Sequence, residues 1–316
     1  MASRQIIAIA GATGAQGGGL ARAILHDPAS TFTVRALTRH PDSEKAKALA
    51  ALGATVVATD FDDVDSVTSA FRGAHAAYCV TNFWEHFSVE KELAQAKNLA
   101  TAARSAEVKH VVWSTLEDTR QWIPLDDPRM PTLQGKYKVP HFDGKGEANR
   151  FFSELRVPTT FLLTSFYWDN LIYFGMGPKR DADGILALTM PMADKPLPGI
   201  AAEDIGKCAY GVFQRGSATV GKTIGIAGEH VTGKAMAAAL TKALGRQVRY
   251  DEVPAAAFRR FGFPGADDLG NMFQFKCEFN DYFCGIRNVA EARRLNPALR
   301  SFDQWLELYK NKIPLG

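Results

Sequence analysis

QIIAIA at positions 5–10, followed without a break by GATGAQGGG at 11–19, decides how this chain is read. The first run is short, apolar and β-branched, as a buried strand requires. Leu20 to Leu25 then continues with helical spacing until Asp27 and Pro28 stop it. Between strand and helix, Gly11, Gly14 and Gly17 fall at the spacing GxxGxxG. A turn of this kind lets the backbone approach a pyrophosphate closely and aims the free N–H groups of the helix start at the anion. Three glycines alone would be a weak signal. A strand before them and a helix after them supply the context that a dinucleotide-binding turn needs.

The composition fits that beginning. With 316 residues, 46% hydrophobic and 22% charged, the chain can bury a full core as one large α/β unit or two lobes. No apolar run approaches the ~20 residues that span a bilayer, and the first strand starts too early for a signal or transit peptide, so a cytoplasmic protein is expected. Cys79, Cys208, Cys277 and Cys284 show no CxxC spacing and read as buried thiols. A net charge of +3, with no basic run, gives no indication of nucleic acid. The seven histidines and the cysteines show no ligand spacing, and no metal site is expected.

Outward from the turn, strands are expected at 31–37, 55–59, 76–80, 108–113 and 159–163, with helices at 43–52, 64–71, 88–105 and 140–155. Asp42 is the expected cap of the first of these helices. Such alternation predicts a doubly wound parallel sheet of the Rossmann type. Residues 118–140 carry Pro124, Pro128, Pro131 and Pro140 and read as a long loop of the lid or binding kind. The second half is less regular, with strands expected at 184–189 and 222–227 and helices at 169–174, 202–214, 232–245 and 254–262. Ser301 with Gln304 signals a capping box for the last helix. The chain therefore divides into a dinucleotide-binding domain, 1–164, and a smaller α/β lobe, 165–316, with parts of 200–227 returning to the first. No linker separates them.

The polar residues at the expected strand ends suggest which dinucleotide is taken. Arg39 follows the second strand, where an NAD site usually places an acid. Guanidinium matches phosphate oxygens in a bidentate way, so Arg39 points to NADP(H), although an exposed arginine at a strand end has the same signature. Asp60 and Phe61 end the third strand and suit the adenine. Thr81, Asn82 and Phe83 end the fourth and suit the ribose. Ser114 ends the fifth strand, where short-chain dehydrogenases place a serine ahead of a YxxxK helix. Here the corresponding spacing is His141-x-x-x-Lys145, with both residues on one helical face. Lys145 reads as a cofactor contact and catalytic candidate. His141 is either an acid or base near neutral pH or a supporting histidine. Tyr137 lies one turn earlier, but Pro140 biases Val139 away from helix. Tyr167 and Asn170 follow the sixth strand and can close the nicotinamide end, while the aromatics around them serve equally as interface core.

The chain resembles the NmrA-like proteins, atypical members of the short-chain dehydrogenase superfamily, and within them the NADPH-sensing branch called HSCARG. The matching stretches include GATGAQGG at 11–18, LTRHP at 37–41, TDFDD at 59–63, VTNFWE at 80–85 and WSTLED at 113–118. HFDGKGE at 141–147, SFYWDNL at 165–171, GFPGADDLGNMFQF at 262–275 and NPALRSFDQWLE near the end continue the series. The resemblance implies a Rossmann domain plus a smaller lobe with NADP(H) between them. It implies that Gly11, Thr13, Gly14, Gln16, Gly17 and Arg39 hold the pyrophosphate and adenosine end, and that Lys145, Tyr167 and Asn170 lie near the nicotinamide. The chain departs from the pattern after Arg39, where Asp42, Ser43 and Glu44 stand in place of a further basic residue. By resemblance the expected role is a redox sensor or regulator that reads NADPH against NADP⁺, with room for a regulatory protein partner and a homodimer. The alternative is an NADPH-dependent reductase of a small apolar carbonyl or enone. There Lys145 and His141 would polarise and protonate in a cleft lined by Trp84, Phe166 and Trp168. A third reading is a binding module whose cofactor is structural.

Overall fold

The computed structural model describes residues 4–315 apart from residue 182. β1 (Gln5–Ile9) runs into α1 (Ala15–Leu25) through the glycine turn, and the alternation continues as the sequence predicts. It passes through β2 (Phe32–Thr38), α2 (Glu44–Ala51), β3 (Thr55–Ala58), α3 (Val64–Phe71), β4 (Ala76–Cys79) and α4 (Val89–Ser105) to β5 (His110–Thr115), α5 (Pro140–Glu154) and β6 (Thr159–Leu163). These six strands and a seventh from the second half form one parallel sheet. Ile7 of β1 pairs with Val34 of β2 on one side and Ala76 of β4 on the other. Both faces are covered by helices, which is why the strands read as apolar runs.

The second half contains β7 (Phe166–Tyr167), α6 (Asn170–Tyr173), β8 (Lys179–Arg180), β9 (Leu186–Met190), β10 (Pro196–Ile200) and α7 (Ala202–Arg215). After them come β11 (Thr223–Gly225), β12 (Glu229–Thr232), α8 (Gly233–Leu244), β13 (Val248–Glu252), α9 (Ala255–Phe258), α10 (Ala266–Glu278), α11 (Asn280–Ile286), α12 (Val289–Leu295) and α13 (Phe302–Tyr309). β11 joins β6 in the main sheet, whose order is β11-β6-β5-β4-β1-β2-β3. The other strands make two three-stranded sheets, β12-β10-β7 and β13-β9-β8. α7 lies against α1 with no room for side chains between them. A Cβ on Gly206 would collide with Leu20 N, and one on Gly19 would sit 2.5 Å from Glu203 O. An aromatic core fills the second half, with Trp168, Phe273, Phe275, Phe283, Phe302 and Trp305 all buried.

Several expectations need correction. Ser43 caps α2, its Oγ accepting from Ala46 N at 3.3 Å, and Asp42 does not serve that role. The 118–140 segment, by contrast, is the long connection its prolines suggest, carrying a 3-10 turn at Thr119–Gln121 and a bridge between Leu133 and Tyr137. The helix expected at 254–262 is the single turn α9. The strands at 196–200, 229–232 and 248–252 were not expected. Of the cysteines, Cys79 and Cys208 are buried, while Cys277 and Cys284 are partly exposed. Thr232 and Ser301 cap their helices as their positions suggested, the latter in a capping box with Gln304. No helix among the described residues is long and apolar enough to cross a membrane.

Candidate functional site

The carboxyl ends of the strands open into a cleft of about 500 Å³ between the glycine turn and α10. At its floor, Gly11 adopts φ +64° and accepts from Gly14 N at 2.8 Å. Gly14 stands at the N-cap of α1 without any side-chain cap, and the first turn holds no acid. The free N–H groups there face no competing anion of their own helix. Position 17 admits only glycine, because a Cβ would lie 2.5 Å from Gly11 O and 2.8 Å from Gly11 C. Thr13, Gly14, Gln16 and Gly17 all border the cleft.

Arg39 stands at one end, just past β2. Its guanidinium donates to both oxygens of Glu85, at 2.5 and 2.8 Å. Glu85 holds Arg39 more firmly protonated than usual, and Arg39 in turn holds the Glu85 carboxyl below the ordinary range. Glu85 ends a 3-10 turn, Phe83–Glu85, that leads to Phe87 in left-handed backbone at φ 53°, a conformation that costs a bulky residue energy. Trp84 of this turn packs on His141 (ring centroids 4.8 Å) and on Phe174 (5.0 Å). Phe61 borders the cleft, but Asp60 does not. Its Oδ1 accepts from Asp62 N in a local turn at 2.9 Å.

At the other end, Lys145 Nζ donates to Thr81 O and Oγ1, both at 2.9 Å, and stands 2.7 Å from Glu92 Oε1. Glu92 comes from α4 and is fully buried. Its second oxygen has no hydrogen-bond partner and lies 3.8 Å from His86 Nε2. Gln16 gathers a second cluster. Ser114 Oγ and the Tyr78 hydroxyl both donate to its Oε1, and its Nε2 donates to the Tyr167 hydroxyl. Burial pushes the Tyr167 phenol up to about 12, and Tyr78 moves upward for the same reason, so both are proton donors at neutral pH. Asn82, Phe83 and Asn170 also border the cleft.

His141 is buried on α5, and Asp268 of α10 holds it twice. Its backbone N donates to Asp268 Oδ2 at 3.0 Å, and its ring Nδ1 pairs with Asp268 Oδ1. A carboxylate on Nδ1 fixes the tautomer with the proton there and leaves Nε2 as acceptor. Trp168, expected in the lining, instead lies in the core beside Phe302 and Trp305. Tyr137 is buried with Phe83 and Val89, off the His141 and Lys145 stack.

The sequence therefore marked the glycine turn, Arg39, Lys145, Ser114 and Tyr167, and the structure gathers these around one cleft. It gave no sign of Glu85, Glu92, Tyr78, Asp268 or Lys276. Their partners lie far along the chain, or, for Lys276, no carboxylate among the described residues stands within ion-pair distance. Among the described residues no group of three His, Cys, Asp or Glu side chains is arranged to hold a metal ion.

Comparison with known proteins agrees with this architecture. The profile of the NmrA-like family matches residues 3–306. The NmrA-like family domain-containing oxidoreductase cpsB of Aspergillus campestris is 30% identical over 292 residues, 87% of this chain and 83% of that protein. The corresponding oxidoreductase lnbB of Aspergillus flavus is 27% identical over 87% of this chain and 84% of its own. The crystal structure of NmrA, a negative transcriptional regulator, in complex with NADP superposes with a TM-score of 0.80. It is 24% identical and covers 98% of this chain and 97% of its own.

Proposed function

The chain belongs to the NmrA-like family, and from that premise we propose that it binds NADP(H) in the cleft and works as a redox sensor of the HSCARG-type branch, reading NADPH against NADP⁺. The uncapped, acid-free start of α1 and the Cβ-intolerant Gly17 fit a pyrophosphate, and Arg39 fits a 2′-phosphate. Lys145, Tyr167 and Asn170 would then face the nicotinamide end. When bound, the dinucleotide supplies a hydride or an empty acceptor ring.

One observation links capture of the 2′-phosphate, which NADPH and NADP⁺ share, to a change of shape. Arg39 is already engaged by Glu85, and the turn that carries Glu85 also carries Trp84, against which Gly265 of the second half is packed. A phosphate captured by Arg39 must release Glu85, and with it a segment that touches both halves. Redox discrimination has a separate source. The oxidised nicotinamide is a cation, and the far end of the cleft contains Lys145 and Lys276. Among the described residues Lys145 has a carboxylate partner and Lys276 has none within ion-pair distance, so the neutral reduced ring is the better ligand. A ligand shifts a conformation only through such a difference in affinity.

The test is hydrogen exchange at residues 83–87 and 262–270 with NADPH, NADP⁺ and NADH. NADPH should change both segments most, and NADH should leave 83–87 as it was. Arg39→Glu should abolish the preference of about 1–3 kcal/mol for NADP(H) over NAD(H). Identical responses to NADPH and NADP⁺ would remove the sensor reading.

A reductase is the second reading, favoured by the His141–Asp268 pair, because a histidine oriented by a carboxylate is a usable proton carrier. It requires steady NADPH oxidation with a small carbonyl compound, lost in Lys145→Ala.

A further inference from the structure

Lys276 lies on α10 and is 2% exposed. Its ammonium is surrounded by rings. The centroids of Phe283, Phe142, Phe273 and Phe166 lie 5.2, 5.5, 5.6 and 5.8 Å from Nζ. Its one hydrogen-bond acceptor among the described residues is the Met272 sulfur at 3.2 Å, a weak one. The nearby carboxylate, Glu117, already accepts both Nη groups of Arg287 at 2.7 and 3.0 Å. Burial lowers the amine to about 7, with Arg287 acting the same way and Glu117 and Cys277 opposing. Aromatic faces compensate a buried cation only in part, and folding alone gives no reason to keep lysine where methionine would pack. Lys276 borders the cleft together with Phe142, Phe166, Met272 and Phe283.

Another polar group of the cleft lining lacks a partner altogether. Ser165 Oγ is buried without a hydrogen-bond partner and also borders the cleft, next in the chain to Phe166. A buried hydroxyl without a partner calls for an explanation, and beside an amine held only by a thioether it suggests a missing ligand oxygen. The flanking rings require the rest of that ligand to be flat and apolar. A carboxylate could pair with the ammonium, but it would first have to leave water for a site walled by rings, and that desolvation can exceed the gain, whereas a neutral carbonyl loses far less hydration. A single neutral oxygen with two lone pairs matches one amine and one hydroxyl.

We propose that this end of the cleft is a binding subsite for an aromatic or conjugated ketone, whose carbonyl oxygen accepts from Lys276 Nζ and Ser165 Oγ while its ring lies among Phe142, Phe166 and Phe283. That such a ketone meets a reduced dinucleotide rests on the function proposed above. Its binding to the subsite does not.

The experiment compares acetophenone with α-methylstyrene, which replaces the carbonyl oxygen by CH₂ at nearly the same shape. Affinities are read by ligand-observed NMR with and without NADPH, for wild type, Lys276→Met and Ser165→Ala. Wild type should favour the ketone at least tenfold. Lys276→Met should erase that preference while keeping or raising the melting temperature, and Ser165→Ala should reduce it in part. Equal affinity of the wild type for both compounds, binding of neither, or a preference that survives in Lys276→Met would each overturn the proposal. NADPH binding is read separately in the same titrations. Its absence would defeat the dinucleotide reading and leave the ketone result standing.

Discussion

Glu85→Gln should tighten NADP(H) binding and leave NAD(H) binding almost unchanged. In the free protein Arg39 and Glu85 are 47% and 43% exposed at the side chain, so their bidentate pair belongs to the surface class worth about 0–1 kcal/mol. A 2′-phosphate must break that pair and then tolerate a displaced carboxylate nearby. At ~4 Å in a water-like medium that repulsion is about 1 kcal/mol per unit charge. Glutamine preserves the size of the side chain and removes both penalties. The expected gain is therefore about 1–2 kcal/mol, roughly five- to thirtyfold in Kd. Isothermal calorimetry with NADPH, NADP⁺ and NADH measures it directly. The gain should shrink as salt is raised, since the groups are exposed and screened. An unchanged NADPH affinity, or an equal gain for NADH, would refute the argument that Glu85 guards Arg39.

Two other expectations follow from the same geometry. Gly17→Ala places a methyl against the backbone of Gly11 at 2.5 and 2.8 Å, whereas Gly14→Ala meets Gly11 O at only 3.1 Å. The first should abolish dinucleotide binding and cost about 1–3 kcal/mol of stability, and the second should be milder on both counts, as chemical denaturation and calorimetry will report. His110 is buried on β5 with Nε2 2.8 Å from Thr160 Oγ1, and burial lowers its pKa from 6.5 to about 4. The folded state refuses a proton that the unfolded chain accepts, so this contribution is complete above pH 6.5 and disappears as pH falls to about 4. Its size is at most about 3 kcal/mol. The stability difference between wild type and His110→Gln should narrow over that window, and a difference independent of pH would exclude it.

The legible part of the chain was the part whose signals are local. A strand, three glycines and a helix occupy twenty-odd consecutive residues and need no tertiary information. Arg39 and Lys145 were visible because their positions relative to a strand end and a helix face are set by short-range periods. Their carboxylates were not visible, since Glu85 stands 46 residues from Arg39 and Glu92 lies on a different helix from Lys145; nor was Asp268, 127 residues from the His141 that it holds. β10 was missed because PLPGI reads as a breaker. Pro196 and Pro198 cannot donate, yet the strand is held through Gly199 and Ile200 against β7 and through its antiparallel partner β12. Asp42 reads as the cap because the helix is expected to begin at Ser43, one residue before its actual start, and both are cap-forming residue types.

Which parts of the cleft can move follows from what binds its walls. α7 is locked to α1 by backbone contact at Gly19 and Gly206, and its first N–H donates to Asp169 at 2.8 Å, between Tyr167 and Asn170. The glycine turn and the Tyr167 end are therefore one block, although they come from opposite halves of the sequence. Across the cleft, α10 and α11 are tied to the block by His141–Asp268 and by the buried pair Arg287–Glu117. Separating Arg287 from Glu117 would leave an uncompensated buried charge, at a cost of about 3–5 kcal/mol, more than a dinucleotide contact would repay. That pair should therefore persist when the cleft is filled. The remaining contact that ligand binding can exchange at low cost is the exposed one, Arg39 with Glu85. If the sensor reading proposed above holds, the conformational change should therefore begin in the 83–87 turn and reach the second half through Trp84 and Gly265.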